Sequence, residues 1–280
     1  MRVEALTRAD WRRASQVRGL LADVHGATPQ DAVFLAPGTL AGLRLVFASL
    51  GVRRVVLSRD EYFDRRAFPA ARVDLVRPEA LVSRVVRHRP DAVVLSAVTW
   101  RGRRIALEAC FREIRTRLGA AAPVLVADVS HGGAAGFPRV LATRADIVLG
   151  DVGKWITPPD WSDRLGFLWF RAGRLRILAR RAFAPFYLAG TRPGRSLEAR
   201  WVDPEAVARI VEWCRSRKVT RRKLLARHET DMVLARLVAE RCGVRAPSTA
   251  LVWLESAAAA RKVPAWVEDA GLVWRPPSGG

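Results

Sequence analysis

Lysine is nearly missing from this 280-residue chain. Four of its 48 basic side chains are lysines, and Lys154 is the only one before Lys218. Salt bridges and solubility are served by arginine, which the chain uses throughout. A primary amine able to lose its proton is not, because guanidinium cannot supply one. Lys154 is therefore a candidate for amine chemistry.

Other scarcities narrow the function classes. Cys110, Cys214 and Cys242 are odd in number and far apart, so they give neither a disulfide framework nor a metal-ligand spacing, and no metal is expected. No apolar run reaches the roughly 20 residues of a membrane span. Met1 to Asp10 carries mixed charge and an arginine-rich segment follows, which is not the pattern of a secretion signal. A soluble cytoplasmic protein is the expectation.

Acidic residues are outnumbered 27 to 48, and the net charge is +21. Such a charge raises the possibility of a nucleic-acid partner. Arginine is spread almost evenly, however, which reads as a compositional bias rather than a dedicated polyanion site. The densest basic run, Arg215 to Arg227, reads as a solvated helix face; the alternative is contact with an acidic partner or nucleic acid.

What is present is a regular alternation. Short apolar runs at 33–35, 55–57, 73–76, 92–95, 124–127, 147–149 and 166–170 read as strands. Helical stretches between them include 40–50, 78–88 and 105–118, with a further helix over 5–25. Continuous apolar strands alternating with helices predict an α/β fold with a mainly parallel sheet covered on both faces. After Arg171 the pattern changes. A long, mostly helical segment over 204–240, continuous or broken, precedes strands near 250–254 and 272–275 that flank a helix at 258–270. The division expected is a large domain over 1–200 and a connecting helix with a small α+β domain over 201–280.

In parallel α/β sheets, ligands sit at the carboxyl ends of strands. The run 124–127 leads into Asp128-Val129-Ser130-His131, and 147–149 leads into Asp151-Val152-Gly153-Lys154-Trp155. The run 33–35 leads to Gly38-Thr39 at a helix start, and 55–57 leads to Asp60-Glu61-Tyr62. A buried carboxylate such as Asp128 can keep a pyridine nitrogen protonated, an amine such as Lys154 can form a Schiff base, and a helix N-terminus at Thr39 suits a phosphate. Tyr62 can stack on a ring.

On these residues the chain resembles the fold-type I enzymes that use pyridoxal 5'-phosphate (PLP), in particular the class V aminotransferase group of cysteine desulfurases, selenocysteine lyases and kynureninases. Residues 34 to 171 carry the resemblance: the glycine-threonine turn, Asp128 followed by His131, Lys154 with its aromatic neighbour, and the glycine-started strand Gly166 to Phe170. The resemblance implies PLP as cofactor, Lys154 as the Schiff-base residue and Asp128 at the ring nitrogen. It also implies Gly38 and Thr39 at the phosphate, Tyr62 on the ring, and Thr99 and His131 near the ring hydroxyl. Thr191, in Gly190-Thr191, would reach the phosphate of a neighbouring subunit in a homodimer with shared sites. The implied substrate is an amino acid or an amine, by lyase-like or aminotransferase chemistry in specialised biosynthesis.

Departures accompany the likeness. Asp151 and Gly153 stand where the group commonly has serine and histidine near the phosphate. The chain reads as shortened at both ends, without the later arginine that clamps a substrate carboxylate; Arg275 is the available substitute. A standard cysteine desulfurase is not expected. Two rival readings remain: a catalytically degenerate homologue acting as a partner subunit, and a basic nucleic-acid-binding protein.

Overall fold

A computed structural model describes residues 8–27, 32–36, 38–61, 67–99, 101–156, 165–171, 203–244, 247–250, 252–253 and 273–274. Helix α1 (Arg8–His25) leads to β1 (Ala32–Ala36), α2 (Thr39–Leu50), β2 (Arg54–Ser58) and β3 (Arg72–Val76). Then follow α3 (Leu81–His88), β4 (Ala92–Ser96), α4 (Leu107–Leu118), β5 (Val124–Asp128), the short α5 (Val140–Thr143), β6 (Ile147–Asp151), the short α6 (Gly153–Ile156) and β7 (Gly166–Phe170).

Strands β1 to β7 form one sheet in the order β1-β7-β6-β5-β4-β2-β3. Only β7 runs against its neighbours, β1 and β6; every other pair is parallel. The carboxyl ends of β1, β2, β4, β5 and β6 therefore share one edge, and the start of β7 lies on that edge with them. This is the mainly parallel α/β sheet that the alternation predicts.

The strands divide their side chains between two cores by the two-residue period of a strand. Leu125, Ala127, Val148, Phe167 and Trp169 point to one face, and Val126, Ile147, Leu149, Leu168 and Phe170 to the other. Burial on both faces explains why these strands are continuous apolar runs rather than alternating ones. The second face is covered by α2, with Leu43, Val46 and Phe47 buried. The first face is covered largely by helices, among them α1, whose buried Ala14, Val17, Leu21 and Val24 recur at three- and four-residue intervals.

The helical segment after residue 203 is two helices, α7 (Pro204–Ser216) and α8 (Arg221–Cys242). Asp203 caps α7 by accepting from the Glu205 N–H, and Thr220 caps α8 by accepting from the Lys223 N–H. Between them Lys218 takes a positive φ of 47°, so the chain turns there instead of continuing as one helix. Val207 and Ile210 of α7 and Leu224, Val238 and Ala239 of α8 join the first core. Two further strands, β8 (Val252–Trp253) and β9 (Val273–Trp274), pair in parallel. The expected helix at 258–270 and the expected domain junction at residues 200–201 lie outside the described residues. Among the described residues, no helix is long and apolar enough to cross a membrane.

Candidate functional site

Asp128 ends β5 and is buried. Loss of water pushes its carboxyl pKa above the ordinary aspartate value. Hydrogen bonds from Ser130 and the charge of Lys154 oppose that rise, and the charge of Asp151 adds to it. The Ser130 N–H donates to Asp128 Oδ1 at 2.7 Å. A buried carboxyl under these opposing pressures is a group whose ionisation a nearby cation would complete.

Lys154 follows β6 on the four-residue helix α6 and is exposed. Its Nζ lies 3.3 Å from His131 Nε2. Burial, helped by the charge of Lys154, pulls the His131 pKa down to about 3, so the imidazole is neutral at physiological pH. An ammonium can only donate, so Nε2 accepts and the ring proton sits on Nδ1. Asp151 uses Oδ1 to accept from the Lys154 backbone N–H at 3.2 Å. That is the three-residue spacing of a helix N-cap, so one carboxylate oxygen is engaged in starting the turn that carries the lysine.

Thr39 opens α2, and its Oγ1 lies 3.3 Å from Ser130 Oγ, which ties the helix start to the strand end that carries Asp128. The residue before it, Gly38, has φ 145° and no side chain to occupy the first N–H groups of the helix, and the first turn has no acidic residue. Those N–H groups and the positive end of the helix dipole form a cradle for an anion. Gly166, the Cα partner of both Ala36 and Asp151, packs directly on the Gly38–Thr39 peptide.

The residues Gly38, Thr39, Asp128, His131 and Lys154 thus come together at the carboxyl edge of the sheet. Thr99 is also buried just beyond β4, in a tight turn where its hydroxyl accepts from the Arg103 N–H at 3.2 Å. Tyr62, Thr191 and Arg275 lie outside the described residues. Three residues that the sequence reading did not single out join the site: Ser130, which bridges Thr39 and Asp128, and the buried pair Glu61 and Ser96. Small hydroxyls and a loop carboxylate are too common at strand ends to stand out in a sequence.

The donor set fits PLP. It offers a buried carboxyl for the ring nitrogen, an amine for covalent attachment and a helix N-terminus for the phosphate.

No known family model matches this sequence, and no curated protein matches it. Solved structures do. A ureidoglycine-glyoxylate aminotransferase from Bacillus subtilis superposes with a TM-score of 0.62 at 14% identity, over 88% of this chain and 68% of that one. A cysteine desulfurase from Thermococcus onnurineus gives 0.56 at 13% identity, over 87% and 66%. A serine palmitoyltransferase from S. paucimobilis, solved with a bound PLP-myriocin aldimine, gives 0.57 at 16% identity, over 90% and 65%. At these identities the likeness shows the fold. The fold that the sequence resemblance implied, that of fold-type I PLP-dependent enzymes, is the fold observed.

Proposed function

We propose that this chain is a PLP-dependent enzyme acting on an amino acid or an amine, by lyase-like or aminotransferase chemistry. The observation that carries the reading is the placement of Lys154 and Asp128 at adjacent strand ends, close enough for the lysine charge to act on the buried carboxyl. Their elements stand in a fold shared with aminotransferases, a cysteine desulfurase and a PLP-bound serine palmitoyltransferase.

When bound, PLP supplies an electron sink beside the substrate's amine-bearing carbon. The chain's own residues do the rest. Asp128 holds a proton on the ring nitrogen, and Ser130 keeps that carboxylate aimed through the 2.7 Å bond. The first amides of α2 with Thr39 hold the phosphate. Lys154 provides the attachment amine and then moves the substrate proton. His131, neutral, accepts from the lysine and fixes its orientation. Tyr62 stacking on the ring, Thr99 near the ring hydroxyl, Thr191 reaching across a homodimer and Arg275 receiving a substrate carboxylate complete the reading, as does a role in specialised biosynthesis.

One observation favours a second reading, a catalytically degenerate partner subunit. Asp151 pairs in register with Gly166, and Gly166 touches the anion cradle, so a carboxylate stands near the phosphate end. The deciding experiment is a visible absorption spectrum with added PLP, followed by borohydride reduction and peptide mapping. Label on Lys154, lost in Lys154→Ala, is the expected result. Label scattered over Lys218, Lys223 and Lys262, or none, overturns the enzyme reading and leaves the partner subunit.

A further inference from the structure

A second carboxylic acid is buried beside Asp128 and has no part in the scheme above. Glu61 lies just beyond the end of β2 and is 6% exposed. Its Oε1 accepts from the Ser96 N–H at 2.8 Å, and its Oε2 is bonded to the Ser96 hydroxyl. Ser96 ends β4 and is the Cα partner of Asp128 on β5. In a parallel pair, register partners put their side chains on the same face. The next residue, Ala97, donates its N–H to the Asp128 carbonyl at 2.8 Å. Glu61, Ser96 and Asp128 therefore form a row across three strand ends, closed off from water, with a carboxyl group at each end.

We propose that Glu61 is a positioning residue for the ring-nitrogen site, forming with Asp128 a buried two-carboxyl unit, with Ser96 on the strand between them, that holds one proton. The proposal rests on the reading of Asp128 as the partner of the ring nitrogen. The Asp128 charge acts on Glu61, and two buried carboxyl groups that repel each other resist joint ionisation, so their titrations are linked. The proton on Glu61 leaves one negative charge at the base of the site, which matches the single positive charge of a protonated pyridine. The groups acting on Glu61 are Ser96 on β4, Asp128 on β5 and Asp60 in its own loop. Lys154 and Asp151 act on the far member of the pair. Burial, reinforced by Asp128 and Asp60 against the Ser96 hydrogen bonds, raises the Glu61 pKa to about 8.

The sign follows. A group whose folded pKa exceeds its unfolded value of 4.5 binds more protons when folded. Stability linked to it is full below about pH 4.5 and is lost as pH rises to about 8, above which both states are ionised and the loss levels off.

The test uses the whole chain without added PLP, so it does not depend on cofactor binding. Thermal unfolding is followed from pH 6 to 9.5 for the wild type, Glu61→Gln, and Asp128→Asn. The wild type should lose stability as pH rises to about 8, and Glu61→Gln should show a flatter profile. Asp128→Asn, which removes the like charge, should move the wild-type transition to lower pH. An infrared carboxylic-acid band in the wild type at pH 7, weakened at pH 9.5, keeps the test alive if a variant fails to fold. A Glu61→Gln profile parallel to the wild type, or an Asp128→Asn transition at unchanged pH, overturns the pair. A two-carboxyl transition in a protein that never takes up PLP would instead overturn the cofactor reading and leave the pair standing.

Discussion

Gly166 and Gly38 are in contact: a β-carbon on Gly166 would lie 2.7 Å from the Gly38 carbonyl carbon and 2.8 Å from the Thr39 nitrogen. Only a residue without a side chain lets β7 approach the start of α2 this closely, and the obstruction is backbone, which cannot rotate away. The contact sets where the first amides of the helix point. Gly166→Ala should therefore displace the anion cradle and cost about 2 kcal/mol, the scale of an overpacked core. The expected outcome is a lowered unfolding temperature together with weaker PLP uptake, read by absorbance titration. Unchanged uptake in a destabilised variant would remove this contact from the binding site.

Ser130 joins the two ends of the site, and removing its hydroxyl should be felt at both. Its Oγ lies 3.3 Å from the Thr39 hydroxyl, and its side chain also supports Asp128. Ser130→Ala takes away a hydrogen bond to a carboxylate, worth about 1.5 kcal/mol, or roughly tenfold in affinity. PLP affinity should fall by about that factor in Ser130→Ala. In an Asp128→Asn background the further effect of Ser130→Ala should shrink, because the charge that the hydroxyl supports is gone. Equal effects in both backgrounds would show that Ser130 does not act through Asp128.

The inner strands are legible in the sequence because they are buried on both faces, so period and composition agree; the edge strand β3, only partly buried, is legible from Val73, Leu75 and Val76. Helix boundaries are legible where a cap marks them, as at Asp203 and Gly51. The break at Lys218 is less so, since it depends on a positive φ in a run of basic residues that otherwise reads as helix. Asp128 and Lys154 stand out because each follows a buried strand and carries a group with a definite chemistry. Glu61 does not, because its interest comes from burial against Ser96 on another strand, and sequence distance hides that. Asp151 shows the same limit from the other side. Beside a phosphate site its charge looks wrong, yet one of its oxygens caps the turn that bears Lys154.

Acid should weaken the fold through His25. This side chain is buried between Phe137 and Phe167, with Nδ1 3.5 Å from the Pro138 carbonyl. Burial pulls its pKa from 6.5 down to about 4; the Pro138 bond opposes this and Arg221 adds to it. The unfolded chain binds the proton more readily, so stability linked to His25 is full above pH 6.5 and is lost as pH falls towards 4. A shift of that size corresponds to about 3 kcal/mol. Thermal unfolding between pH 7.5 and 4.5 should show a shallower decline for His25→Leu than for the wild type. Parallel declines would place the acid sensitivity elsewhere.

Trp213 should influence Lys154 from a distance. Its Nε1–H donates to the Ile156 carbonyl at 3.1 Å, at the end of the short helix that begins one residue before the lysine. The Arg217 guanidinium lies over the Trp213 ring, 4.9 Å from its centroid. A four-residue helix has too few internal bonds to fix its own direction, so an outside tether matters more than in a long one. Trp213→Phe keeps a ring but loses the donor, a net loss of about 1 kcal/mol, or an unfolding temperature lower by about 3 °C. The same variant should slow borohydride-trapped labelling of Lys154 by PLP, and Trp213→Ala should slow it further. Slower labelling at an unchanged unfolding temperature would make Trp213 a specific guide for the lysine, whereas a lower unfolding temperature with wild-type labelling would reduce it to a packing residue between α7 and α6.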